Sequence, residues 1–213
     1  MKKALQLFLF VGLMTISCKP IDYDNQYDPA SDNYSPPVSR IIMVDDFDDG
    51  DDINLWGHKF TGYNDTRENG IITTSLSLDN QQPKLSGKGY VLKLSYDVTT
   101  NSRNVGWGQF LNDFESGTFF SPQVLGVKTF SFWIRGEKGG EQFYIGFSDA
   151  SEIASFVAVT EVTTNWQKVP IALDSFKKQG FNISKLFFFH LNFYTGIMPP
   201  TGTIYLDNFA FEY

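Results

Sequence analysis

From residue 41 to the C-terminus the sequence breaks into ten short runs rich in Val, Ile, Thr, Tyr and Phe, each closed by Gly, Asn, Asp or Pro. The runs cover residues 41–44, 70–78, 90–98, 105–111, 128–135, 142–148, 155–162, 166–173, 185–194 and 203–211. β-Branched and aromatic side chains fit a pleated, half-buried surface, and the residues between the runs reverse the chain. No segment sustains a helical apolar period over several turns. The fold class expected is all-β, an antiparallel two-sheet β-sandwich.

Successive strand side chains point to opposite sides, so the alternation assigns faces. Within 129–135, Phe130, Phe132 and Ile134 form an apolar row, and Ser131, Trp133 and Arg135 form the other. Within 142–148, Phe143, Ile145 and Phe147 read as inward, with Gln142, Tyr144 and Ser148 outward. In 185–194 the core row is Phe187, Phe189, Leu191 and Phe193. The opposite row is Leu186, Phe188, His190, Asn192 and Tyr194, which mixes aromatic and hydrogen-bonding groups. Such a row is neither a plain core face nor a plain solvated one.

Ahead of these runs lie two segments of different character. Lys2 and Lys3 precede an apolar stretch at 4–13 that is too short and wrongly flanked for a membrane span. Residues 1–17 read as a secretory signal. Ser17-Cys18 resembles the processing site of bacterial lipoproteins, although Thr15 stands where that motif usually has Leu. Cys18 is the one cysteine in the chain, so the fold has no internal disulfide, and lipid attachment is the role expected of it. Residues 18–40, with Asp28-Pro29, Ser31-Asp32-Asn33 and Pro36-Pro37, read as a flexible linker, and 41–213 as the folded domain. Loss of Lys2 and Lys3 with the signal leaves 15 basic against 24 acidic side chains, a charge of −9. That charge speaks against nucleic acid and anionic lipid, and suits a neutral sugar or a divalent cation.

Four segments, taken in order, resemble the galactose-binding-like jelly rolls and most closely the family-eleven carbohydrate-binding modules. They are Val44-Asp45-Asp46-Phe47 with Asn54-Leu55-Trp56-Gly57, then Thr129 to Arg135, then Asn165 to Ile171 with Asp174-Ser175-Phe176, and finally Ile204 to Phe209. The resemblance implies a jelly roll that binds a polysaccharide or oligosaccharide on the outer face of one sheet. It also implies a structural calcium joining the first strand to the last, with Asp46 and Asp207 at the matching positions. The alternative for these two residues is that they are solvated or cap turns.

Sugar recognition needs flat apolar faces against C–H-rich rings and convergent polar groups. His190, Asn192 and Tyr194 have this chemistry, and so does Tyr144. Trp133 with Arg135, and Trp107 between Gly106 and Gly108, are further candidates; Trp107 serves equally well as a core residue. The function expected is a membrane-anchored, surface-exposed carbohydrate-binding lipoprotein of the outer membrane. Two rivals stay open: a protein-interaction or structural jelly roll of an outer-membrane complex, and a glycoside hydrolase or lyase. Hydrolysis would need two facing carboxylates. Glu115, Glu141, Glu152, Glu161 and Glu212 fall mostly at turns or run ends, and the sequence has no Gly-x-Ser-x-Gly elbow or phosphate loop. No enzyme activity is expected.

Overall fold

The computed structural model describes residues 41–64, 71–78, 89–99, 104–113, 118–194, 196–197 and 199–213. The expected signal, Cys18 and the linker to residue 40 lie outside the described residues, as does Glu115. Among the described residues the strands are β1 (Ile41–Asp45), β2 (Thr61–Asn64), β3 (Ile71–Leu78), β4 (Tyr90–Asp97), β5 (Asn104–Phe110), β6 (Asn112–Asp113), β7 (Thr118–Phe119), β8 (Thr129–Gly136), β9 (Phe143–Asp149), β10 (Ala154–Val159), β11 (Gln167–Ala172), β12 (Leu186–Tyr194) and β13 (Thr201–Glu212). A single helical turn, α1 (Pro122–Leu125), ends on Gly126 in the left-handed conformation at φ 77°.

The strands build the expected antiparallel sandwich. The first sheet runs β11-β8-β13-β4-β3, with β1 also on β13, and the second runs β10-β9-β12-β5-β2. All ten sequence runs become strands. Three further strands carry little sequence signal: β6 and β7 are two residues each, and β2 reads Thr-Gly-Tyr-Asn, which has the composition of a turn. The run at 155–162 ends early, at Val159, because Glu161 takes a positive φ of 61° and turns the chain.

The inward rows meet between the sheets as an aromatic core. Phe130 of the first sheet packs against Phe147 and Phe189 of the second at 5.2 and 5.8 Å, and against Phe211 in its own sheet at 5.0 Å. Each such ring stabilises by about 1.5–3 kcal/mol through burial, with roughly 0.5–1.5 kcal/mol more from edge-to-face geometry. That contribution stands in for the staples a disulfide-free domain lacks.

Two irregularities set up the features that matter below. In β12 the register shifts between Leu186 and Phe188. The shift corrects the simple alternation: Leu186 is buried in the core, and Phe187 leaves the core row to join Phe110 and Phe119. In β13 the register shifts between Asp207 and Ala210. β4 pairs with β13 as far as Leu206 and β1 takes over from Phe209, so the bulge falls at the handover between the two neighbours.

Candidate functional site

The outer face of the second sheet is assembled by register. His190 lies opposite Gly108 of β5 on one side and Gly146 of β9 on the other, and Asn192 lies opposite Gly106 and Tyr144. Glycine at these strand positions does not make bulges; it clears the floor beside the imidazole. The cleared space is filled by rings lying flat, since a Cβ at Gly108 would overlap Phe188 and one at Gly146 would overlap Phe156. His190 is thereby held between Phe188 at 4.6 Å and Phe156 at 5.7 Å.

The polar groups of this face are pre-set. Ser148 Oγ and His190 Nε2 share a hydrogen bond of 2.6 Å. Burial pushes the imidazole pKa down to about 4, so His190 is neutral at physiological pH. Asn192 Nδ2 donates to the Tyr194 hydroxyl at 3.1 Å. The Tyr194 ring meets Tyr144 edge-on at 5.3 Å, and Tyr144 is 37% exposed. A half-open aromatic pair beside an amide, a hydroxyl and a neutral imidazole offers stacking surface and hydrogen bonds together. No described strand position on this face carries a charge. Pro199 and Pro200 do not belong to this face: their carbonyls accept from Tyr96 and Val98 at the end of β4 in the other sheet.

The other sequence candidates separate. Trp107 is fully buried, packed on Phe60, Phe189 and Phe209, and this corrects its assignment as a sugar contact. Its strand alternates Gly-Trp-Gly, and the glycines, not the indole, face outward. Trp133 and Arg135 sit on β8 in the first sheet, so they do not join His190 in one site. Sequence reasoning placed Ser148 outward without giving it a role, and missed the three-glycine floor. Glycine recurring at every second position of a strand was the available signal.

The Asp46 and Asp207 pair lies at the β13 bulge. Asp207 is fully buried; its Oδ1 accepts from the Asn208 amide at 2.8 Å, while Oδ2 has no partner. Asn208 takes a φ of 51°, and both side-chain polar atoms are buried without partners. Burial raises the Asp207 pKa to about 8, aided by the charges of Asp48, Asp46 and Asp45. Asp45 is raised to about 7, chiefly by burial, even though it accepts from Phe47 N at 2.8 Å and Gln109 Nε2 at 3.3 Å. Orphaned hard oxygens among mutually repelling carboxylates suit a divalent cation. Among the described residues no three acidic, histidine or cysteine groups already stand at coordinating spacing. Asp46 Oδ1 accepts from Asp48 N at 3.2 Å, the turn contact that the alternative reading gives it, and the residues that could hold an ion here are Asp207, Asn208 and Asp46.

Comparison with known proteins bears on this geometry. Residues 46–213 match the family model described as carbohydrate binding domain 30. The chain is 26% identical over 156 residues to endoglucanase 3 of Fibrobacter succinogenes, a match covering 67% of this chain and 22% of that protein. The chain thus spans about a fifth of that relative's length. Among solved structures, the family 11 carbohydrate-binding module of Clostridium thermocellum in complex with a β-1,3-1,4-mixed-linked tetrasaccharide superposes with a TM-score of 0.59 at 15% identity, covering 81% of this chain and 95% of that one. The family 11 module of a cellulosomal cellulase of the same organism gives 0.54 at 16% identity, covering 81% and 94%. These two superpositions show the jelly-roll fold that the sequence resembles.

Proposed function

Since the chain belongs to the carbohydrate binding domain 30 family, we propose that it binds a neutral polysaccharide across the outer face of the second sheet. The observation that carries this reading is the uncharged array of Tyr144, Ser148, His190, Asn192 and Tyr194 beside a glycine floor. The β-1,3-1,4-mixed-linked tetrasaccharide in the family 11 complex makes a mixed-linked β-glucan the first ligand to try. The proline loop tied to β4 leaves Tyr144 exposed, which favours a sugar over a protein partner covering this face.

The calcium reading belongs to the same proposal. A cation held by Asp207, Asn208 and Asp46 would join β1 to β13 where the ladder changes partner, and would relieve the buried carboxylates. The anchor reading rests on sequence alone: Cys18 carries lipid, residues 18–40 give reach, and the domain faces outward from the outer membrane. Tethering of many copies would let a weak single site hold one polymer.

The test is a glycan array probed with the folded domain in calcium, followed by affinity electrophoresis on the positives. Retention by a neutral β-glucan supports the reading; no retention by any neutral glycan overturns it. Metabolic labelling with a palmitate analogue, in wild-type and Cys18→Ala chains expressed in a bacterium, tests the anchor separately.

A further inference from the structure

The second sheet ends at β10, and its outward edge is open. Asp149 N donates to Ile153 O at 3.1 Å, and the Ser155 carbonyl oxygen lies beside Gly146 of β9. An antiparallel ladder alternates from there. Ser155, Val157 and Val159 therefore turn their main-chain groups toward β9, while Ala154, Phe156 and Ala158 turn theirs away. Among the described residues no strand pairs with that outward side, and no main-chain hydrogen bond reaches these three residues from it. The edge strand of the first sheet, β11, borders the same groove, whose lining includes Val157, Val159, Val169 and Ile171. Leu173 N donates to Lys128 O at 2.8 Å, which makes Lys168, Pro170 and Ala172 the outward positions of β11. Proline removes a donor from that edge and lysine sets a charge on it, and both keep an edge strand from pairing. β10 carries neither, nor any charged residue between Ala154 and Val159.

The open edge is self-complementary. Ala154 and Ala158 flank Phe156 symmetrically, and the three lie opposite Ser148, Tyr144 and Gly146 of β9, on the outer face. A second copy laid antiparallel about Phe156 sets Phe156 opposite the partner's Phe156, and Ala154 opposite the partner's Ala158. Each pair then exchanges amide and carbonyl in the geometry of the ladder. The Phe156 ring leans back over Gly146, and a methyl group at each flanking position leaves the approach clear. The contact is isologous, so every bond made by one copy is made again by the other. A strand from another protein would meet the same amides without this symmetry, and the symmetry is what selects a second copy.

We propose that β10 is an interface with a second copy of this chain, joining two five-stranded sheets into one continuous sheet. The outer faces become a single surface, with the two His190 positions about 24 Å apart across five strand spacings of ~4.8 Å. One polymer crossing that surface would engage two sites, the second at high effective concentration. That consequence rests on the glucan reading above; the interface does not. The negative charge of the molecule opposes association at long range, but the edge itself is uncharged and physiological salt screens charges beyond about 8 Å. Association should therefore be weaker at low ionic strength.

The experiment is sedimentation velocity of the protein over roughly 1–100 µM, with reductant present so that Cys18 cannot cross-link two chains. A dimer fraction that rises with concentration is expected. Ala158→Pro removes an outward amide twice per dimer and leaves the β9 ladder intact, and should raise the dissociation constant about tenfold or more. Two double variants test the register without proline. Ala154→Glu with Ala158→Glu sets like charges opposite each other across the axis and should abolish the dimer. Ala154→Glu with Ala158→Lys sets opposite charges there and should keep it. A cooperative unfolding curve for each variant shows that it is folded. The proposal is overturned by a protein that stays monomeric throughout, by wild-type association in a folded Ala158→Pro chain, or by equal association of the two double variants. No glycan is present, so failure of the glucan reading does not enter this result.

Discussion

The Ser148 hydroxyl bridges to His190 Nε2 at 2.6 Å across β9 and β12, and both cross-strand neighbours of His190 are glycines. The hydroxyl fixes the ring in its plane and the glycines leave its flanks to Phe156 and Phe188. The imidazole is therefore a neutral, oriented hydrogen-bonding group, not a titrating one. Glucan affinity should accordingly be flat from about pH 5 to pH 8 and fall only as the medium approaches the lowered imidazole pKa of about 4. Calorimetry across that range checks it; a midpoint near the ordinary histidine value would show that the ring titrates freely.

Removing the Ser148 hydroxyl tests how much that orientation matters. Ser148→Ala should lower stability by about 0.5–1.5 kcal/mol, the net worth of one internal hydrogen bond, and weaken glucan binding less than His190→Ala does. Loss as large as that of His190→Ala would mean that Ser148 itself touches the sugar.

The acidic groups at the β13 bulge give stability an opposite dependence on pH. Asp45 and Asp207 have folded pKa values of about 7 and about 8, well above those of an unfolded chain. The folded state thus holds protons that the unfolded state releases, so metal-free stability falls as pH rises from about 4 through 8. Ionising either carboxylate without a cation costs on the order of 4 kcal/mol. Calcium should restore stability, and by more at pH 8 than at pH 6. Urea unfolding with calcium or chelator measures this. Asp207→Asn should remove the Asp207 share of the pH dependence, leave that of Asp45, and abolish the calcium response, and a calcium effect that persists in that variant would refute the assignment.

Trp107 should behave as core. Trp107→Ala is expected to destabilise by about 3–5 kcal/mol, while Trp107→Phe should cost less and leave glucan affinity unchanged in the folded protein. Reduced affinity in a folded Trp107→Phe domain would return the residue to the sugar site.

The glycine floor is tested by adding one carbon. Gly146→Ala and Gly108→Ala would drive a methyl into the Phe156 and Phe188 rings, costing about 1–3 kcal/mol and disturbing the imidazole between them. Unfolding midpoints should drop and glucan affinity with them.

The strands were legible because period-two alternation of large residues is a strong signal, and it placed Phe130, Phe143, Phe147 and Phe189 in the core correctly. It failed at Leu186 and Phe187, because a bulge moves one residue out of register and composition does not mark it. β2 escaped notice since Thr-Gly-Tyr-Asn acquires strand geometry only by pairing with β5. Which outward rows share a sheet was not readable at all. Alternation tells up from down within a strand, whereas the separation of Trp133 and Arg135 from His190 depends on strand order, which long-range pairing decides. Trp107 misled because an indole between glycines looks exposed until the neighbouring rows are known.

The claim that glucan is bound beside His190 is tested most directly by calorimetric titration of mixed-linked β-glucan into wild-type, Tyr144→Ala and His190→Ala domains, each with a matched unfolding curve. Affinity should fall by about tenfold or more in both variants while cooperative unfolding is retained, in line with the loss of one ring contact or one anchored polar group. Wild-type affinity in both folded variants would place the ligand elsewhere on the molecule.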